Sequence, residues 1–267
     1  MNMYLYELKS QIKSAITWTL VMIALATIYL VMYPGVASDA NAFKDLISNY
    51  PPTIRAMLGI NIDTITSLLG FYSMIFSFIT LAGAIQAMNL GLSILSKESR
   101  ERTADFLLVK PVSRSAIVTA KLSSAITTIL ETNIAFCVLT PIIANLVKIE
   151  NFDLKVFTMI NLTLFFIQII FLTIGMIVSV FFQKIKTIIP ISLGIVFGFY
   201  FIGAFLATAN DDVVKRVLSP FKYFDITYII TNKNYELPYL ILSAVIVLTS
   251  IIATFILYNK KDIHAVS

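Results

Sequence analysis

One stretch of this chain gathers ionisable side chains. Residues 97–121, KESRERTADFLLVKPVSRSAIVTAK, hold Lys97, Arg100, Arg102, Lys110, Arg114 and Lys121 against Glu98, Glu101 and Asp105. Charges of both signs at this density can form ion pairs or dock a soluble partner. They do not make a hydrolytic centre, because the nucleophile and base are missing. His264 is the only histidine and sits in the tail, and Cys137 is the only cysteine and lies in an apolar run. No HExxH, Ser-His or Cys-His pair can be built, and no GxxxxGK[ST] occurs, so the usual cradle for nucleotide phosphates is absent. A single cysteine excludes a disulfide framework or a cysteine metal site within the chain. The other chemical candidate is Glu131, the one acidic residue inside the apolar run 122–147. A carboxylate in a bilayer span costs about 2.5–3.5 kcal/mol on insertion scales, which makes it a functional candidate by default. An intramembrane aspartyl protease needs two such acids, so the chain is read as a non-enzyme.

The elements that must position these residues are spans. The chain has 267 residues, 58% hydrophobic and 13% charged, far from the balance of a soluble domain. A bilayer crossing needs about 20 mostly apolar residues, and six stretches qualify: 14–33, 69–95, 122–147, 156–182, 187–208 and 237–258. The expected fold is an all-α membrane protein forming one transmembrane domain over 1–267. Before the first span, Leu5, Leu8 and Ile12 fall at helical spacing beside Glu7, Lys9 and Lys13. Two readings stand: a short helix lying in the interface, or a plain polar flank. The apolar core of the first span is longer than the 7–15 residues of a secretory signal, so it is read as retained. Lys and Arg number twelve in the segments on the side of the termini and eight on the other. That excess places both termini in the cytoplasm. The net charge of +5 is therefore read through topology, not as a nucleic-acid footprint.

Finer features follow from spacing. Helix formers run over 96–108 until Pro111 stops them, and Ser113 is placed to cap the next helix. Phe106, Leu107, Leu108 and Val109 make an apolar ridge among the charges, read either as a docking surface or as the tip of a solvated hairpin. In the second span, Gly83, Ala87 and Gly91 form a small-residue stripe for close helix packing, and Gln86 and Asn89 need interior partners. In the third span, Ser124, Thr127, Thr128 and Glu131 share one helical face, predicted to point away from lipid. Counted from Lys121, Glu131 lies about 15 Å into the helix, near mid-bilayer. It is either part of a translocation or proton-linked path or a hydrogen-bonded lock between helices. Pro141 is expected to kink that span. The pair Gly194 and Gly198 in the fifth span is expected to pack internally, with a dimer contact as the alternative. On the outer side, 42–47 and 53–58 are expected to form short helices, the second ended by Gly59. Val213, Val214, Val217 and Leu218 suit another, followed by the aromatic segment 219–225.

The residues Glu98, Thr103, Leu107, Leu108, Pro111-Val112-Ser113-Arg114, Ile117 and Lys121-Leu122 resemble the first intracellular loop of ATP-binding-cassette (ABC) exporter permeases of the six-helix type 2 class. Ser219-Pro220-Phe221-Lys222-Tyr223-Phe224-Asp225 resembles the segment before the last span in the same family, which implies short re-entrant or surface helices closing the outer end of the path there. Arg102 and Asp105 depart from it, standing where Gly and Glu are common. The resemblance implies a coupling helix that seats in a separate ABC ATPase subunit through Glu98, Arg102, Thr103, Asp105, Phe106, Leu107, Leu108, Pro111 and Arg114. It implies ATP and magnesium on that partner and no cofactor on this chain. It also implies a second permease chain, identical or related, in a bacterial cell membrane. Glu131, Thr127, Thr128, Gln86 and Asn89 are the candidates for the path. Two other classes compete: a proton-coupled secondary carrier using Glu131, for which no internal repeat is visible, and a non-transporting membrane scaffold or immunity-type protein. The cargo is left open among a lipid, an amphipathic peptide and a hydrophobic drug.

Overall fold

The computed structural model describes residues 3–100, 112–182, 187–206 and 216–260. Long uninterrupted apolar runs with few breakers fold as long helices. They are α1 (Met3–Ser38), α4 (Leu68–Arg100), α5 (Arg114–Val147), α6 (Leu154–Phe181), α7 (Ile189–Leu206) and α9 (Leu237–Lys260), with α2 (Ala40–Ser48), α3 (Pro52–Met57) and α8 (Ile226–Asn232) as short connectors. Five are long and apolar enough to cross a membrane, and α7 is a shorter apolar helix. This is an all-α membrane protein of about six spans, as expected. The six alternate in direction. The end where α1 begins and α9 stops is called here the terminal end, and the opposite one the far end.

The first helix departs from the sequence reading. Residues 3–13 form no separate interfacial element: α1 is continuous for 36 residues, through Pro34, and buries Glu7. The reason is local. No Gly or Pro separates Ile12 from the apolar core, so nothing interrupts the helix at the proposed boundary. Pro141 likewise lies within α5.

Helices α4 and α6 form the buried centre, and the remaining spans pack around them. Their closeness depends on glycine. A methyl group on Gly91 would collide with the Leu172 carbonyl and press on Gly175, and one on Gly83 would run into Leu164. The predicted stripe is thus a packing face, completed by Gly175 from α6. Toward the far end the same pair is held by aromatic stacking, Tyr72 on Phe157 at 4.6 Å. Tyr72 also donates to Asn161 Oδ1 (2.7 Å), and Asn161 donates to Thr140 (2.9 Å). Helix α1 runs parallel to α5 and also touches α4, and α9 packs on α6.

The Gly194–Gly198 pair does not pack internally as expected. Both glycines are exposed, and a methyl on either would meet no atom within 4 Å. The inward face of α7 is carried by Ser192, Val196, Tyr200 and Ala204, which leaves the glycines on the opposite side of the helix.

The far end is built of short elements. Asp39 caps α2, and Gly59, at φ +66°, ends the α3 segment as read from sequence. Residues Pro220–Lys222 make one turn of 3-10 helix. Around it Phe221 packs on Phe171 (5.1 Å), Phe224 stacks on Phe166 (5.2 Å), and Tyr223 stacks on Tyr239 (6.0 Å). Asp225 then accepts from the backbone N–H groups of Thr227 and Tyr228 and starts α8, one of the short helices expected before the last span, placed behind the aromatic segment.

Candidate functional site

At the terminal end, helices α4 and α5 carry the roots of the polar connection between them. Arg102, Thr103, Asp105, Phe106, Leu107, Leu108 and Pro111 lie outside the described residues, as do 183–186 and 207–215; Glu98 is in the last turns of α4. Ser113 caps α5 as expected, its hydroxyl accepting from Ala116 N at 3.2 Å. Arg114 donates to the Asn259 carbonyl (3.1 Å) and Ser115 pairs with the Asn259 side chain, so the first turn of α5 is tied to the last turn of α9.

The dominant feature there is a cluster of buried charge. Lys121 is fully enclosed, and its ammonium donates to Glu7 Oε1 at 3.1 Å and to the Ile94 carbonyl. Glu7, also buried, faces Lys97 with its other oxygen at 3.8 Å. Lys97 reaches Ser10 Oγ (3.3 Å) and lies over the Tyr6 ring at 5.3 Å. One carboxylate thus joins α1, α4 and α5. Such a group contributes little net stability over an apolar replacement, because both ions must leave water, but loss of one partner strands the other. Its consequence is a fixed register of three helices at the base of the loop. Sequence reasoning missed this cluster and counted Lys121 among the loop charges. The usable signal was its position on the helical stripe Ile117, Val118, Lys121, Ala125, Thr128, all of which are buried.

About 16–18 Å deeper, at a rise of 1.5 Å per residue, lies a layer of neutral polar side chains. Gln168 donates to Gln86 Oε1 (2.8 Å), and Asn133 donates to Gln168 Oε1 (2.5 Å). Gln86 donates to Thr132 (3.2 Å), to which Thr19 also donates (3.1 Å). The layer crosses α1, α4, α5 and α6.

Between charge cluster and polar layer opens a cavity of about 770 Å³ among α1, α4, α5 and α7. Trp18, Gln86, Asn89, Ser93, Thr128 and Pro190 contribute to its lining, with Lys97 and Arg100 toward its mouth end. Thr128 donates to Gln11 Oε1 at 2.9 Å. The Asn89 side-chain oxygen is buried with no hydrogen-bond partner among the described residues. The cavity can therefore take a ligand with an apolar body and a hydrogen-bond donor.

Three of the residues expected on a path, Gln86, Asn89 and Thr128, meet in this cavity. Thr127 is half-buried to one side, paired with the Tyr4 hydroxyl at 3.0 Å. Glu131 is not with them. It is exposed beside exposed Leu130, Ile134 and Val138, on the outer surface of α5. The expected inward stripe therefore splits, with Ser124 and Thr128 inside and Glu131 outside, because the last lies too far round the helix from the buried face. The Thr19–Thr132 bond sets Glu131 level with residue 18 of α1, only about 8 Å beyond Lys13.

A bundle of about six apolar helices, braced at one end by buried charge and hollow between its helices, is the architecture of a multi-pass membrane protein. Residues 1–263 match the family model of the ABC-2 family transporter proteins, so the chain belongs to that family. No curated protein matches it.

Proposed function

We propose that this permease is the membrane subunit of an ABC exporter, driven by ATP hydrolysis on separate ATPase subunits that hold the nucleotide and magnesium. The observation that carries the reading is the family match over residues 1–263, together with a polar loop whose roots on α4 and α5 are bonded to two other helices, α1 and α9. In this reading residues 98–109 are the coupling helix, Leu107 and Leu108 seat in the ATPase, and Gln183–Lys186 make a second, shorter contact. A push on the loop reaches α4 and α5 through Lys97 and Lys121 and passes to α1 through Glu7. The termini are cytoplasmic and the membrane is that of a bacterial cell. The terminal-end cavity takes cargo from the cytoplasmic side, with Gln86, Asn89 and Thr128 as its polar contacts. Two permease chains complete the path, the same chain twice or a related one. The exposed glycine face of α7, flanked by exposed Phe201 and Phe205, supports that contact.

The carrier reading gains nothing from Glu131, which lines neither cavity described here. The test is co-purification with the cognate ATPase and vanadate-sensitive export in inverted vesicles. L107D or L108D is expected to abolish ATPase association while membrane insertion persists. Normal association of both variants overturns the coupling role.

A further inference from the structure

The far end holds a second cavity, of about 610 Å³, between α3, α4, α6, α7 and the segment 216–227. Its volume is that of a small-molecule site, and its lining is layered by charge. Arg55, from α3, is half-buried in it; its Nε is enclosed with no hydrogen-bond partner, and the guanidinium has no ion pair among the described residues. Lys222 is half-buried in the same wall. Burial pulls the Lys222 pKa down, partly opposed by Asp225. The hydroxyl of Tyr200 is enclosed in the same wall, beside the Ser77 side chain. The two acids of the lining, Asp63 and Asp225, are both exposed, and Asp225 Oδ1 is already engaged by two backbone N–H groups. The cations are therefore set inside and the carboxylates at the rim. Arg216, also in the wall, is committed to Glu236 (2.6 Å) and stacks over Tyr239 at 4.1 Å.

Below the cations the wall changes character. Ser77, Thr80 and Thr163 spend their hydroxyl protons on backbone carbonyls of their own helices at 2.7–2.9 Å. They offer lone pairs to a ligand. Phe76 and Ile167 line the cavity at the same depth.

A half-buried guanidinium with an unmet Nε is costly unless an oxyanion completes it. Guanidinium geometry matches the paired oxygens of phosphate, and Lys adds a point charge. A row of hydroxyl acceptors suits a ligand carrying O–H groups. We propose that the far-end cavity binds the phosphate group of a hydroxylated amphiphile, held by Arg55 with Lys222 and Tyr200. The site goes beyond the exporter reading, since it lies at the other end of the bundle from the terminal-end cavity and requires no ATPase.

The test uses the purified full chain in a non-ionic detergent, titrated by calorimetry with dihexanoyl phosphatidylglycerol, inorganic phosphate and neutral dihexanoylglycerol. Phosphatidylglycerol is expected to bind, with R55Q weakening it at least tenfold, K222Q less and Y200F least. If phosphate alone does not bind, the source of the group is a lipid; if it binds with the same dependence on Arg55, the site takes the free ion too, and the assignment stands in both cases. Equal binding of dihexanoylglycerol, or affinity unchanged by R55Q, overturns it. A second readout is independent of ligand. R55Q without ligand is expected to keep or raise the melting midpoint, because a cation with no ion pair among the described residues is removed. A clear fall would show that Arg55 serves a structural partner, and would sink the proposal. The co-purification experiment with L107D is a separate measurement, so either reading can fail alone.

Discussion

The two ends of this bundle are held by opposite means. At the terminal end, long helices are joined by largely buried charge, Glu7 between Lys97 and the enclosed Lys121, and by a hydrogen-bonded layer beneath it. At the far end, short elements are held by stacked rings, with their ion pairs at least partly open to solvent, such as Lys233–Asp153 at 2.9 Å. The difference is one of tolerance. Aromatic packing is non-directional and yields gradually, whereas an enclosed ion pair is either made or broken, with a large penalty between. An end that must transmit movement without slipping gains from the second kind of joint. An end assembled from loops can manage with the first. Tyr223 shows how dry the ring cluster is: burial pushes its phenol up to about 12, while its hydroxyl donates to the Val217 carbonyl at 2.7 Å.

The contrast can be broken most severely at Lys121. K121M leaves Glu7 buried with only the more distant Lys97, and should cost roughly 3–5 kcal/mol, read as a fall in the thermal midpoint in detergent. The double variant E7Q/K121M should recover most of the loss, and absence of recovery would mean that Lys121 acts through packing alone. Next comes the central helix pair. G91V should cost about 1–3 kcal/mol through overpacking, because the Leu172 backbone cannot retreat, whereas G198V should leave the midpoint of the single chain unchanged. Equal effects would contradict the packing described. In the polar layer, Q168L strands Gln86 and Asn133 together and should cost about 1–3 kcal/mol; a neutral result would show that water replaces the amide. The smallest effect belongs to the far-end ion pair. The Lys233 hydrogen bond, with backbone N–H groups, holds the Asp153 pKa below its usual 3.8. Because the folded value is the lower one, the stabilisation is complete above pH 3.8 and disappears as pH falls through the folded value. D153N, which can still cap α6, should therefore melt slightly earlier than wild type at pH 7 and alike in strong acid.

What could be read from the sequence was what depends on neighbours along the chain. The span pattern, the Ser113 cap, the turn at Gly59 and the packing stripe of Gly83 and Gly91 are all local signals. The Glu7–Lys121 pair spans 114 positions and carries no local mark. Glu131 was misplaced for a related reason. Its face was read from its polar neighbours Ser124, Thr127 and Thr128, and the buried stripe of α5 turns away from it. Short helices were expected before the last span, but the place of α8 behind the aromatic segment 219–225 was not, since seven residues of mixed polarity lack the length for a periodic signal. Which face of α7 turns inward also depends on the positions of α3 and α4, which periodicity does not supply.

The first helix has a mechanical corollary. Thirty-six residues in one helix make a strut of about 54 Å, well beyond the ~30 Å of hydrocarbon it crosses. The surplus outside the apolar run 14–33 is mostly residues 3–13, the part that carries Glu7. A strut anchored at that overhang and braced again at Thr19 works as a lever. Tilting the short arm by a few degrees swings Tyr33, on the opposite leaflet, by an ångström or more in the reverse direction.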